Sequence, residues 1–284
     1  MEKVISTYGT VDKDINFTHS IRYKPAEAPI HIHDFYELYY FISGDVTIYI
    51  EGQAYNVEKN DIIIMNSHEL HRPVFNSEQV YERIVIIFYP EFIAKFADCS
   101  YTPLTCFENK KLGFHNRLEA KTVIKFGLDK YFNSIEAYAR SNTPERSLMI
   151  NTTFIQLLIS LNNAFLCGHS TPEQNATCDQ RISLILNYIN THLSEKITLE
   201  QLEKNLFINR FYMCHIFKRN TGFTIFEYIT YKRIMLAKDL LATGTNVMEA
   251  CSLVGFSDYS NFYKTFKKLL GKPPKSFLTS KASI

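Results

Sequence analysis

Over the first hundred residues, runs of Ile, Val, Tyr and Phe alternate with short polar breaks, and this pattern predicts strands. Phe35 to Ile50 carries one such run, interrupted at Ser43-Gly44-Asp45 and closed at Glu51-Gly52; Asp61 to Met65 and Ile84 to Phe88 add two more. Many short strands joined by turns predict a small antiparallel barrel or sandwich. Near Pro103 the period lengthens. Leu112 to Arg140 places Leu118, Val123, Leu128 and Phe132 at helical spacing, and Thr143-Pro144 reads as an N-cap with proline at the first helical position. The helix that follows carries Leu148, Ile155, Leu158 and Leu161. The two helices form an antiparallel pair, whose spare apolar stripe is left for a second subunit or for the barrel itself.

The last hundred residues contain an internal repeat at an offset of 49 positions. Leu199 recurs as Met248, Glu200 as Glu249, Leu202 as Cys251, Phe207 as Phe256 and Met213 as Phe262. Phe217-Lys218-Arg219 recurs as Phe266-Lys267-Lys268, Gly222 as Gly271 and Tyr228 as Phe277. In the first copy Thr198-x-x-Gln201 is a capping box, Leu206 to Ile208 turn, and Asn209 caps a second helix that Gly222 ends. In the second copy Asn246-x-x-Glu249 opens a short helix, Gly255 supplies the turn, and Ser257 or Asp258 caps a helix ended by Gly271. Two such units, about 198–222 and 246–271, follow the helix-turn-helix plan. Thr224-x-x-Glu227 opens a longer helix between them, to about Leu241. It spans about 25 Å at 1.5 Å per residue, a length suited to holding two recognition helices near one DNA turn, about 34 Å, apart.

Cys251 to Phe277, CSLVGFSDYSNFYKTFKKLLGKPPKSF, resembles the signature of the AraC/XylS family of bacterial transcription regulators through Gly255, Phe256, Ser260, Phe262, Phe266, Lys267, Gly271, Pro274 and Phe277. The first unit fits less strictly, with Asn209 where serine is usual and Asn205 in a commonly apolar or small stretch. Helical geometry assigns Tyr212, Met213, Ile216 and Phe217 to the first unit's core and leaves Arg210, Phe211, Cys214 and His215 outside. In the second unit Phe262 and Phe266 point inward and Tyr259, Ser260, Tyr263 and Lys264 outward. The resemblance implies that these outward positions meet double-stranded DNA in the major groove. Arg210 and Lys264 donate to guanine edges or phosphates, and Phe211 and Tyr259 pack on thymine methyls. Lys218, Arg219, Lys267 and Lys268 neutralise phosphates.

Charge agrees with this division of labour. Of the 31 Lys+Arg and 29 Asp+Glu, 15 and 8 lie from Asp179 onward, a net of +7 against −5 before it. A basic C-terminal part on an acidic partner suggests that only the former meets a polyanion. The six cysteines are scattered without C-x-x-C spacing and read as reduced thiols. The first residues lack a signal-peptide h-region, and the longest candidate for a span, Ile84 to Tyr89, is strand-sized. A cytoplasmic protein with no membrane partner is expected.

A second cluster lies in the first half. His31-x-His33-x-x-x-Glu37, followed after six residues by Gly44, fits the first cupin motif, and Asn60 to His71 resembles the second, with Asn60 and His68 at the usual glycines and Asn66 at the proline. On a strand, residues 31, 33, 35 and 37 share a face. His31, His33, Glu37 and His71 then form either a pocket hydrogen-bonding a small polar effector or a ligand set for a divalent metal. Phe35 and Tyr39 are placed to stack on a sugar ring, and the family resemblance implies sugars and related metabolites as effectors. The chain is therefore read as α+β: a cupin-like antiparallel β-barrel over 1–105, a helical linker and dimerisation segment over 106–167, a flexible linker over 168–178 (Gly168 to Asn175 being polar and turn-rich), and an all-α double helix-turn-helix domain over 179–284. The expectation is a homodimeric transcriptional activator with no catalytic residues and no required cofactor, contacting RNA polymerase. The rivals are a metal-dependent cupin sensor or enzyme, a cupin serving only for dimerisation, and a structural cluster without a ligand.

Overall fold

A computed structural model describes residues 2–9, 14–25, 33–96, 101–168 and 180–278. His31 and the expected linker beyond Gly168 fall outside the described residues. The chain forms two compact units, residues 1–29 with 35–177 and residues 30–34 with 178–284.

The first unit is built on β1 (Glu2–Tyr8), β2 (Ile15–Arg22), β3 (Tyr36–Ser43), β4 (Val46–Ile50), β5 (Gln53–Val57), β6 (Ile62–Met65), β7 (His71–Phe75), β8 (Tyr81–Phe88) and the short β9 (Arg117–Leu118). They pair antiparallel in two sheets, of order β1-β2-β8-β3-β6-β9 and β5-β4-β7. Among the described residues no ladder joins the sheets, so the expected closed barrel is corrected to a two-sheet sandwich. The break at Ser43-Gly44-Asp45 carries the chain from the larger sheet to the smaller instead of curling one sheet on itself. Gly44 takes φ +126° there, and a Cβ would sit 3.2 Å from Tyr81.

Both faces of the larger sheet's central strands are covered, which explains why β3 and β6 read as unbroken apolar runs. Toward the smaller sheet, Tyr39, Phe41, Ile63, Met65 and Val85 pack with Val46, Ile48, Ile50 and Tyr55. The opposite face carries Leu38, Tyr40, Ile62, Ile64, Ile84, Ile86 and Phe88. Against it lie α1 (Pro90–Ala94), α2 (Thr105–Glu108), α3 (Ala120–Lys125), α4 (Leu128–Arg140) and α5 (Arg146–Gly168). Tyr40 stacks on Phe132 at 4.7 Å, and Ile150, Phe154, Leu157, Leu158 and Leu161 are wholly buried. Residues 106–167 are thus part of this unit's core and not a separate linker, because their larger apolar stripe is needed to cover the sheet.

Three boundaries differ from the sequence pattern. The stretch 112–140 is not one helix: β9 interrupts it, and Gly127, left-handed at φ +64°, separates α3 from α4. The helix expected to start after Thr143 begins at Arg146, whose N–H donates to the Thr143 carbonyl at 3.1 Å. Residues Arg146–Cys167 are also long and apolar enough to cross a membrane by length and composition, with half of the most apolar stretch buried. Asparagines and threonines break up the apolar run here, which is why it does not stand out in the sequence.

The second unit consists of α6 (Gln180–Thr191), α7 (Leu199–Leu206), α8 (Arg210–Thr221), α9 (Ile225–Ala242), α10 (Val247–Leu253), α11 (Tyr259–Leu270) and a 3-10 turn at Pro274–Phe277. The caps fall where the spacing places them. Thr198 and Thr224 close reciprocal capping boxes with Gln201 and Glu227, while Asn209, Asn246 and Asp258 each accept from the first turn of their helices. Gly222 and Gly271 end α8 and α11 in left-handed conformation.

The repeat needs one adjustment. Phe207, matched above with Phe256, takes φ +54° and is 93% exposed. Phe256 instead packs edge-on against Phe262 at 5.3 Å. The left-handed residue of the second turn is Gly255, 48 positions on, so the first helices repeat at 48 and the recognition helices at 49. The second turn holds one extra residue.

Candidate functional site

The two recognition helices present equivalent faces. In α8 Met213, Ile216 and Phe217 are buried, and in α11 Phe262 and Phe266 are buried. This fixes the helical phase and leaves Phe211, Tyr212, His215, Lys218 and Arg219 exposed on α8. The residues 49 positions on, Ser260, Asn261, Lys264, Lys267 and Lys268, are exposed on α11. Helical spacing assigns Tyr212 to the core, but it is 42% exposed, and the Arg181 guanidinium lies over its ring at 5.1 Å. Its equivalent Asn261 is likewise missing from the outward set read from the sequence. The signal for both is the 49-residue offset, since position 261 faces outward beside Ser260.

The remaining outward residues are less free. Arg210 is half-buried, ion-paired to Glu200 at 2.9 Å and stacked over Phe211 at 5.3 Å. Cys214 is half-buried, and burial pushes its thiol pKa up. Tyr259 is half-buried against Phe262 and Tyr263, both at 6.3 Å, and Tyr263 stays on the rim. Tyr259 thereby supports the helix start as well as facing outward.

Arg233 of α9 holds the unit together. Its Nε donates to the Leu193 carbonyl at 2.9 Å, Nη1 to Gly255 at 2.8 Å and Nη2 to Glu195 at 2.6 Å. One side chain thus ties the segment after α6 to the turn of the second helix-turn-helix. Gly255 is required there: its φ is +83°, and a Cβ would meet the Arg233 guanidinium and the Ser194 carbonyl, each at 2.9 Å.

In the first unit, Glu37 and His71 are buried side by side, with His71 Nε2 3.2 Å from a Glu37 carboxylate oxygen. His71 Nδ1 donates to the Glu69 carbonyl at 2.9 Å, fixing the ring. Burial alone pushes the imidazole down, but the Glu37 hydrogen bond and charge outweigh it and hold the His71 pKa above its ordinary value. His33 belongs to the second unit and is half-buried. Within the first unit one imidazole and one carboxylate therefore stand together, and the Nδ1-to-carbonyl anchor is the support a metal-ligand histidine uses. Phe35 sits edge-on to Tyr89 at 6.2 Å. Tyr39 is buried and accepts a hydrogen bond from Tyr81 at 2.7 Å.

The same face carries residues that the apolar runs do not point to. In β2, INFTHSIR, Ile15 and Phe17 join the helix-facing core, so Asn16, Thr18, Ser20 and Arg22 point the other way. Arg83 of β8 lies over the rings of Tyr81 at 5.0 Å and Tyr39 at 5.5 Å and donates to Ser20 Oγ at 3.0 Å. Glu2 receives both Arg22, at 3.1 Å, and Arg83, at 3.4 Å. The alternation in β2 is the available signal, overshadowed by the more apolar strands that follow it.

Comparison with known proteins gives two domain matches, an AraC-like ligand binding domain over residues 18–121 and a helix-turn-helix domain over 202–280. The probable transcriptional regulator LumQ of Photobacterium leiognathi is 33% identical over 101 residues, covering 34% of this chain and 41% of that protein. The Msm operon regulatory protein of Streptococcus mutans is 30% identical over 142 residues, 48% of this chain and 50% of that one. The lactose operon transcription activator of Staphylococcus xylosus is 25% identical over 234 residues, 81% and 79% of the two chains. The match thus spans two fifths to one half of the length of the first two relatives.

Proposed function

We propose that the chain is an AraC-type transcriptional regulator, a cytoplasmic, sequence-specific DNA-binding activator whose first unit senses a small metabolite such as a sugar. The observation that carries the reading is the pair of capped recognition helices exposing equivalent positions 49 residues apart. A relative named as a lactose operon transcription activator supports a sugar as effector. The reading assigns no catalysis to the chain.

Selection of duplexes from a randomised pool with the full chain, followed by anisotropy titrations, tests it. Affinity will fall linearly with log salt. Lys267→Ala and Lys268→Ala will weaken binding to all sequences alike, each lowering the salt slope by about 1. Asn261→Ala will instead cost about 1–3 kcal/mol at one base position, where an adenine is preferred. Failure to enrich any sequence at low salt overturns the proposal.

The activator is proposed to be a homodimer that contacts RNA polymerase. On α5, Leu148, Ile159 and Leu166 are 65%, 38% and 60% exposed. Spacings of 11 and 7 residues return to the same side of a 3.6-residue helix, so the three form one stripe. Leu148→Glu with Ile159→Glu will convert a dimer into a monomer in sedimentation velocity; an unchanged sedimentation coefficient rejects this interface.

The buried Glu37–His71 pair, with the His31-x-His33-x-x-x-Glu37 motif of the sequence, supports a second reading, in which the signal is a divalent metal. The cation would neutralise Glu37. Metal analysis of the purified chain, with His33→Ala as control, decides it: retention that is equal in both proteins, or absent in both, removes this reading.

A further inference from the structure

We propose that the effector is an acidic sugar, a hexuronate or aldonate, whose carboxylate is taken by Arg22 and Arg83 in the place now filled by Glu2. This deepens the sugar-sensing reading and rests on it.

The inner face of β2 is polar throughout, Asn16, Thr18, Ser20 and Arg22, although the neighbouring strands put Tyr39, Phe41, Tyr81 and Val85 into an apolar core on that same side. None of that core's residues comes from β1 or β2. A sheet face that turns from apolar to hydroxyl-, amide- and guanidinium-bearing within two strands is lined for a polar occupant.

The charge arrangement specifies the occupant further. Cross-strand pairing sets Glu2 opposite Arg22 and Arg22 opposite Tyr81; one row on, Ser20 stands opposite Arg83. The Arg83 side chain is only 11% exposed. It is held over two tyrosine rings, and its buried Nε has no hydrogen-bond partner. Two guanidiniums converge on a single carboxylate of β1, whose side chain is 39% exposed. They bring more donors than one glutamate satisfies, and arginine forks are suited to carboxylates. The Arg22 and Arg83 charges, with the Arg22 hydrogen bond, overcome the opposing effect of burial and hold the Glu2 pKa below its ordinary value. The position is therefore selective for an anion, and Glu2 occupies it from the accessible side. Ser20, hydrogen-bonded to both Arg83 and Glu2, offers a hydroxyl that matches a sugar hydroxyl beside such a carboxylate.

Isothermal titration of the full chain with galacturonate, glucuronate and gluconate, against galactose and glucose, tests this. The acids will bind and the neutral sugars will bind at least tenfold more weakly. Arg83→Gln will abolish the preference. Glu2→Gln, which removes the competing charge and keeps the strand, will tighten the acids severalfold and widen their preference over the neutral sugars. This second variant decides the matter if Arg83→Gln fails to fold. Equal binding of neutral and acidic sugars, unaffected by Glu2→Gln, overturns the acid while leaving the sugar reading standing. Binding of neither class overturns both.

Discussion

Replacing Glu69 with alanine will cost the first unit about 3–5 kcal/mol, the scale expected when one partner of a buried ion pair is removed. Glu69 and Lys110 form such a pair, with both side chains fully buried. The carboxylate does more than meet the ammonium. One oxygen also accepts from the Gly113 N–H at 2.9 Å, and the other from the Asn66 N–H at 3.1 Å and Asn116 Nδ2 at 2.8 Å. Asn116 Nδ2 also donates to the Ile64 carbonyl at 2.6 Å, so the network pins the 109–116 segment to β6. Alanine would leave a buried cation and several buried donors without acceptors, each with its own desolvation penalty. In a unit of this size the loss reads as a fall in Tm on the order of 10 °C. The double variant Glu69→Met with Lys110→Met will lose much less than Glu69→Ala, because it removes the stranded charge as well. A single-variant cost below about 1 kcal/mol would mean that water reaches the pair and that it is not the latch described.

The same network bears on sensing. The Glu69 carbonyl fixes the His71 ring that stands beside Glu37. Loosening this loop would therefore blur the geometry of the inner face as well as lower stability.

How much of this is legible in the sequence varies with the range of the interaction. Caps act over three residues, so Thr198, Asn209, Thr224, Asn246 and Asp258 mark the helices of the second unit almost to the residue. Helix phase is legible where large apolar side chains fix it, and fails at Tyr212, whose ring carries both apolar area and a polar tip. The first turn misaligns because residue type pairs Phe207 with Phe256, when backbone conformation pairs it with Gly255. In the first unit the central strands are visible as apolar runs. β1 and β2 are not, since a strand at or near a sheet edge with one polar face carries too few apolar residues to stand out. The Glu69–Lys110 latch, 41 positions apart, has no local signature at all. Nor does the convergence of Arg22 and Arg83 on Glu2, which needs the register of three strands.

Arg233→Met will destabilise the second unit by about 1–3 kcal/mol, the range for losing hydrogen bonds from a charged donor to backbone carbonyls that lie between part-buried and exposed. Methionine keeps much of the aliphatic stem, so the cost comes from three carbonyls losing their donor, at Leu193, Glu195 and Gly255. Hydrogen bonds from a charged donor contribute about 1.5–3 kcal/mol each, and some of the carbonyls will recover water. The functional consequence follows from where these carbonyls lie. Gly255 belongs to the turn that sets the angle of α10 to α11, and α9, which carries Arg233, runs directly from the first helix-turn-helix to the second. With the clip gone, the second recognition helix keeps its residues but loses its fixed placement relative to the first. Binding of a full site spanning both helices will then drop by at least tenfold, while binding to a duplex carrying only one helix's contacts will change little. Arg233→Lys will not rescue it, because a single ammonium cannot reach three divergent carbonyls as the guanidinium fork does. Equal losses on full and half sites would show that Arg233 supports the fold of one unit alone and does not couple the two.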